Sequence, residues 1–184
     1  ASLVDSQVIS LSREGANATR INILDPIITV ETANNDETST VGQDYLLGMV
    51  AEAAKESPLT AEERWALGTA HKGALRTAKS EGRVAVLSDV VRALYSPQDS
   101  DIPGPMGDEQ KLLLERGIVN VNRVTEWGLS LALALERFLD GDLSGLLDGE
   151  TSIRTEDGRA LLDADLVVID TSALPEGSLA LSLM

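Results

Sequence analysis

Asp170 closes the apolar run Leu166 to Ile169, and a buried strand ending on a carboxylate is how nucleotide-hydrolysing folds hold a magnesium-bound water. That chemistry also needs a phosphate loop of the form GxxxxGK[ST], and none occurs in the 184 residues. Thr171 and Ser172 follow Asp170, where an adjacent catalytic glutamate would stand. Asp170 is therefore read as a strand end whose carboxylate caps the "SALPEGS" turn. Lys72, Arg76, Lys79 and Arg83, spaced by four, three and four residues, line one face if a single helix carries them. Such a stripe could contact the phosphates of a nucleic acid or an acidic partner surface. With no aromatic residues interleaved to stack bases, the plainer reading is a solvated helix face whose cations suit the negative end of the helix dipole. His71 is the only histidine and no acid stands near it at triad spacing, so it is read as packed or solvated. No GxSxG elbow is present. Trp65 and Trp127 fall on helical seams and are read as core. Asn17-Ala18-Thr19 matches a glycosylation acceptor by accident, since nothing indicates secretion.

Composition narrows the chemistry further. The absence of cysteine excludes disulfides, thiolate zinc sites and a cysteine nucleophile. A single histidine leaves no multi-histidine metal site. Hydrophobic residues make up 43% and charged residues 24%, enough for a core, but aromatics at 3% mean that Leu, Val, Ile and Ala must build it. No apolar run approaches the ~20 residues of a membrane span, and no basic-then-apolar signal opens the chain, so a cytoplasmic protein is expected. The net charge of −15 opposes nonspecific binding to nucleic acid by the whole chain. The charge is uneven. Residues 140–176 carry ten acids against Arg154 and Arg159, whereas residues 55–92 carry seven Lys/Arg against five acids.

The elements that would position these residues follow from periodicity. Two short strands are expected at the start, "SQVISLS" and "TRINILDP", the second alternating Ile21 and Ile23 before Asp25-Pro26. "ETANNDETST" (31–40) reads as a polar loop. A helix over 42–56 would place Tyr45, Leu46, Met49, Val50 and Ala53 on one apolar face. Thr60 and Glu63 form a capping box that starts a helix running to about Lys79 and stopping near Gly82. A short helix from Ser88 as N-cap to Tyr95 is ended by Pro97. "QDSDIPGPMGD" is a linker. Val124, Trp127, Leu131, Leu135 and Phe138 form a continuous seam for a helix over 120–139, closed by Gly141. "DGDLSGLLDGETS" is an acidic, glycine-punctuated loop. Strands return at "TSIRT" and "ADLVVID", and the last residues could begin another helix. No internal repeat is present.

Four segments in this order resemble the central part of the type IV secretion and conjugative-transfer ATPases, in the branch of the VirB-type fourth component and its TraC-like relatives, motors of the RecA-like HerA/FtsK superfamily. "INILDP" at 21–26 is similar to the family's "NPLDP" strand end through Asn22, Leu24, Asp25 and Pro26, with Ile23 where proline is usual. "LTAEERWAL" at 59–67 is similar to its helical-insertion start. "LERFLDGDLSGLLDG" matches through Leu135, Glu136, Arg137, Phe138, Gly141, Gly145, Leu146, Asp148 and Gly149. "VVIDTSAL" matches a core strand through Asp170, Ser172, Ala173 and Leu174. The resemblance implies an α/β fold, mostly α, with a helical insertion lobe flanked by strands of a partial RecA-like sheet. Its expected parts are core strands in 1–30, an acidic loop in 31–41, the helical lobe in 42–140, and a return to core strands with the start of a further helix in 141–184.

The family's phosphate loop lies upstream of the first motif and its acidic "DE" strand downstream of the last, so no catalytic residue is carried onto this sequence. The resemblance thus implies no cofactor in this segment, with ATP and magnesium expected for a longer parent. That parent would be a hexameric motor peripheral to the inner membrane. Its partners would be secretion-channel components and DNA, met through Lys72, Arg76, Lys79 and Arg83. Two other readings stay open: a free-standing acidic helical binding protein, and a helical lobe of a different DNA-translocating ATPase.

Overall fold

The computed structural model describes residues 6–10, 20–25, 38–102, 117–141, 145–152 and 166–170. These are mostly helical. Four α-helices, α1 (Thr38–Lys55), α2 (Ala61–Ser80), α3 (Leu87–Tyr95) and α4 (Val121–Asp140), lie in sequence between strands β1 (Ser6–Ser10) and β2 (Leu166–Asp170). The strands pair in parallel, with Val8 opposite Val168 and Ile9 opposite Ile169. Parallel neighbours cannot be joined by a tight turn and need a crossover. Here the whole helical section lies in that crossover.

Local chemistry starts and stops α2. Thr60 accepts from the Glu63 N–H (3.2 Å), and the Glu63 carboxylate accepts from the Thr60 N–H (2.8 Å). At the other end Arg83 N–H reaches the Ala78 carbonyl and Gly82 N–H reaches Lys79, the paired bonds of a Schellman stop. That stop needs a residue in the left-handed region, and Gly82 takes φ +71°. Thr60→Ala should lower stability by about 1 kcal/mol, read as a shift in urea midpoint. An unchanged midpoint would show that Glu63 alone holds the helix start.

One aliphatic core joins the helices. Leu47, Ala51 and Ala54 of α1, Ala66, Ala70 and Ala74 of α2, Leu87, Val90 and Leu94 of α3, and Val124, Leu131 and Leu135 of α4 are buried. Small residues let the helices approach closely. A β-carbon at Gly128 would stand 3.0 Å from Leu94 Cδ2 and 3.4 Å from Ala66 Cβ, so its absence lets α4 cross α2 and α3. Beside this crossing the Trp65 and Trp127 rings tilt against each other at 6.4 Å.

Four local expectations are corrected. Residues 20–25 form an irregular segment with a turn at 23–24, because Asn22, Ile23, Leu24 and Asp25 are buried in succession and no alternation survives. The inner face of α1 is Gln43, Leu47, Val50, Ala51 and Ala54, whereas Tyr45 and Met49 point outward at 69% and 42% exposure. The N-cap of α3 is Val86, two residues before Ser88. Residues 38–40, expected in a loop, open α1. The linker "QDSDIPGPMGD" beyond Ile102, the "TSIRT" strand beyond Ser152, and residues 171–184 lie outside the described residues.

Candidate functional site

The basic stripe divides when its surroundings are considered. Lys72 and Lys79 are exposed on α2, seven residues apart, which is two helical turns or about 10 Å. Arg76 is exposed too, but its guanidinium is held by Asp101 Oδ2 at 2.9 Å and Gln98 Oε1 at 2.6 Å. Asp101 is buried at the short 3-10 turn Asp99–Asp101. Arg83 lies past the end of α2 and grips Asp89 through both carboxylate oxygens, at 2.5 and 2.8 Å, and Glu81 at 2.7 Å. Hydrogen bonds to Asp89 and Glu81 push the Arg83 pKa up. Burial works to raise the Asp89 carboxyl, but the Arg83 hydrogen bonds, the Val86 N–H and the nearby Arg92 outweigh it and hold it below the usual carboxylate range. The structure thus commits two of the four cations to internal pairs and leaves the ammonium groups of Lys72 and Lys79 facing outward.

His71 is buried, and Asp44 of α1 meets its Nδ1 at 2.5 Å. Sequence inspection missed this pair because the acid lies 27 residues away on another helix. Spacing within one element carried no signal of it. The ring's Nε2 is buried with no hydrogen-bond partner among the described residues, as is Trp65 Nε1. An aspartate–histidine pair could act as a base only with a substrate proton within reach of Nε2. With that atom enclosed, the pair serves to join α1 to α2.

Glu63 is a second junction. Its carboxylate accepts from Lys55 Nζ at 2.6 Å, from the Thr60 N–H, and from Ser130 Oγ at 3.3 Å, linking the end of α1, the start of α2 and the middle of α4. Burial pulls its pKa up, yet the Lys55, Thr60 and Ser130 hydrogen bonds with the Lys55 charge bring it below the ordinary value.

Two of the four segments behind the family resemblance meet in space. Ile21 N–H donates to the Leu146 carbonyl (2.8 Å), and Ser152 N–H to the Arg20 carbonyl (3.0 Å). Asn22 N–H reaches Thr151 Oγ1 at 3.2 Å. Asn22, fully buried, donates from Nδ2 to the Ala85 carbonyl (2.8 Å) and accepts from the Leu24 N–H (3.0 Å). Leu24 in turn gives its carbonyl to Gln43 Nε2 of α1 at 2.9 Å. Asp148 accepts the Ser88 N–H at 2.9 Å, satisfying an orphan donor in the first turn of α3 from sixty residues away. Segments 20–25 and 145–152 therefore clasp each other at the foot of the helical lobe and tie it to α1 and α3.

Among the described residues no helix is long and apolar enough to cross a membrane. Nor does any group of three His, Asp or Glu stand ready to hold a metal ion there. Comparison with protein-family models, with characterised proteins and with solved structures found no match.

Proposed function

We propose that this chain is part of an ATP-driven motor of a conjugative or type IV secretion system. In this reading the helices form an insertion lobe on a RecA-like sheet at the cytoplasmic base of the channel. The lobe makes contacts and does not itself hydrolyse ATP. The observation that carries the reading is the clasp at its foot: two of the four motif segments resembling that family, over 120 residues apart, hydrogen-bond to each other where the chain enters and leaves the lobe. The parallel pairing of β1 with β2 across the same interval fits a lobe inserted between neighbouring core strands.

Contact with a neighbouring subunit, a channel component or the transported strand falls to the α2 face, where Lys72 and Lys79 are exposed with no ion-pair partner among the described residues and Arg76 and Arg83 stiffen the surface beside them. The shared helical core also suits a free-standing binding protein, so the deciding experiment concerns the gene. Sequencing the complete reading frame and purifying its product should reveal an upstream GK[ST] loop and magnesium-dependent ATP turnover absent from residues 1–184 alone. A complete product with neither would overturn the motor. Turnover by residues 1–184 would overturn the non-hydrolytic role.

Within this reading, DNA contact by the α2 face makes a separate prediction. Lys72→Glu with Lys79→Glu should weaken binding to single-stranded DNA at low salt at least tenfold and reduce the salt slope by about one to two. Fluorescence anisotropy across a salt series measures both. Unaltered binding by the double variant would place the DNA elsewhere.

A further inference from the structure

The outer face of α4 carries a feature that neither the fold nor the motor reading uses. Asn122, Glu126, Leu129, Leu133, Glu136 and Asp140 recur at helical spacing on the side opposite Val124, Leu131 and Leu135, and are exposed. Leu129 and Leu133, one turn apart, expose 47% and 55% of their surface at the centre of this strip. Acids bracket them. Glu126 and Glu136 are ten residues apart, about 15 Å along the axis, with Asp140 beyond. The strip has a formal charge of −3, and still −1 once the flanking Arg123 and Arg137 are counted. Both arginines are already shared with carboxylates, Arg123 with Glu126 at 3.0 Å and Arg137 with Glu56 at 3.8 Å. Glu136 is held in place by the Tyr95 hydroxyl at 2.7 Å.

We propose that this α4 face docks a basic amphipathic helix of another polypeptide, its apolar ridge over Leu129 and Leu133 and its Lys or Arg residues against Glu126, Glu136 and Asp140. The argument is charge complementarity around an apolar pair. A second copy of the chain would bring the same acids and a net charge of −15 to the contact, and like charges at close range repel. Nucleic acid is opposed by the same sign. A helix with leucines at i and i+4 matches the ridge spacing, and cations on its flanks match the frame. The proposal holds whether or not the chain belongs to a motor.

The test titrates residues 1–184 with a synthetic 18-residue helical peptide bearing leucines at i, i+4 on one face and lysines at its flanks. A glutamate-flanked version, a scrambled version and zwitterionic vesicles are run in parallel. Saturable binding of the lysine peptide is expected, with backbone amide shifts concentrated on α4. The scrambled peptide should bind at least tenfold more weakly and the glutamate peptide not measurably. Leu129→Ala with Leu133→Ala should cost at least tenfold in affinity, and so should Glu126→Gln with Glu136→Gln. The leucines are on the outer face, so the alanine pair should keep its helical circular dichroism and its urea midpoint. Equal affinity in the alanine pair, equal binding of the scrambled or glutamate peptide, or shifts confined to other helices would overturn the proposal. So would a self-association abolished by the alanine pair, which assigns the face to a second copy. Leucine-dependent vesicle binding without peptide binding assigns it to a membrane and equally overturns it.

Discussion

Asn22→Ala should lower the free energy of unfolding by about 2–5 kcal/mol. The side chain is fully buried and serves two backbone groups, the Ala85 carbonyl through Nδ2 and the Leu24 N–H through Oδ1. Alanine supplies neither partner, and each buried backbone group left unpaired costs about 1–3 kcal/mol. The effect does not stop at residue 22. The Leu24 carbonyl holds the buried Gln43 amide of α1, and the Ala85 carbonyl lies just before α3, so both helices lose an anchor at the foot of the lobe. Asn22→Asp should cost at least as much, because it keeps the acceptor for Leu24 but removes the donor for Ala85 and buries a charge. Urea unfolding followed by the fluorescence of Trp65 and Trp127 reads the loss directly. A change below about 0.5 kcal/mol for Asn22→Ala would mean that Ala85 and Leu24 find other partners, and the clasp would lose its central residue.

Arg83→Met is the second large effect, expected as a clear fall in the urea midpoint. Removing one member of a buried ion pair typically costs about 3–5 kcal/mol because the remaining charge is left desolvated. Asp89 is 4% exposed, but the Arg83 side chain keeps about a third of its surface in solvent, so screening lowers the figure. The Val86 N–H, which donates to Asp89 Oδ2 at 3.0 Å, should remain as a partner in the variant and lowers the cost further. The pH dependence has a definite sign. The Asp89 pKa is lower in the folded chain than in the unfolded one, so its contribution is fully present above the unfolded carboxyl value of about 4 and is lost as pH falls through the folded value. The wild-type stability profile should therefore fall below about pH 4, and the fall should be shallower in Arg83→Met. Identical acid limbs in the two proteins would exclude Asp89 as its source. A substitution at Arg83 that abolishes partner binding would thus report on folding, whereas the same change at Lys72 or Lys79 reports on contact.

Features written in consecutive residues were legible in the sequence, and those that depend on a distant partner were not. Thr60, Glu63 and Gly82 announce both ends of α2 because caps and Schellman stops are satisfied within six residues. The α4 seam was legible because Val124, Leu131 and Leu135 keep helical spacing and all turn inward. The face of α1 was misread because bulk was taken for burial. Close helix packing selects Ala51 and Ala54 for the inside, and Gln43 joins them because the Leu24 carbonyl is there to receive its amide. Ser88 looked like an N-cap, yet its N–H is taken by Asp148 from sixty residues away, which no local pattern encodes, while Asp89 takes the Val86 N–H within the first turn. The same limit hid the Asp44 partner of His71 and the Asp101 partner of Arg76, whereas the acids that claim Arg83 stand two and six residues from it and were passed over because α2 was read as one straight stripe. Even helical spacing established that the four cations could share a side, not that two of them were already engaged.

The account rests on a helical lobe that leaves and rejoins one parallel strand pair, and the cysteine-free chain allows a direct test of it. Val8→Cys with Val168→Cys joins residues that are register partners, and neighbouring strands place such partners about 4.8 Å apart, within disulfide range. Val8→Cys with Leu166→Cys shifts the register by two residues, about 6.6 Å along the strand, and puts the pair out of range. Under mild oxidation the first variant should close an intramolecular disulfide nearly completely while the second keeps free thiols, as counted by thiol titration and mass spectrometry. Free thiols in both, or equal closure in both, would contradict the parallel pairing and the inserted lobe built on it.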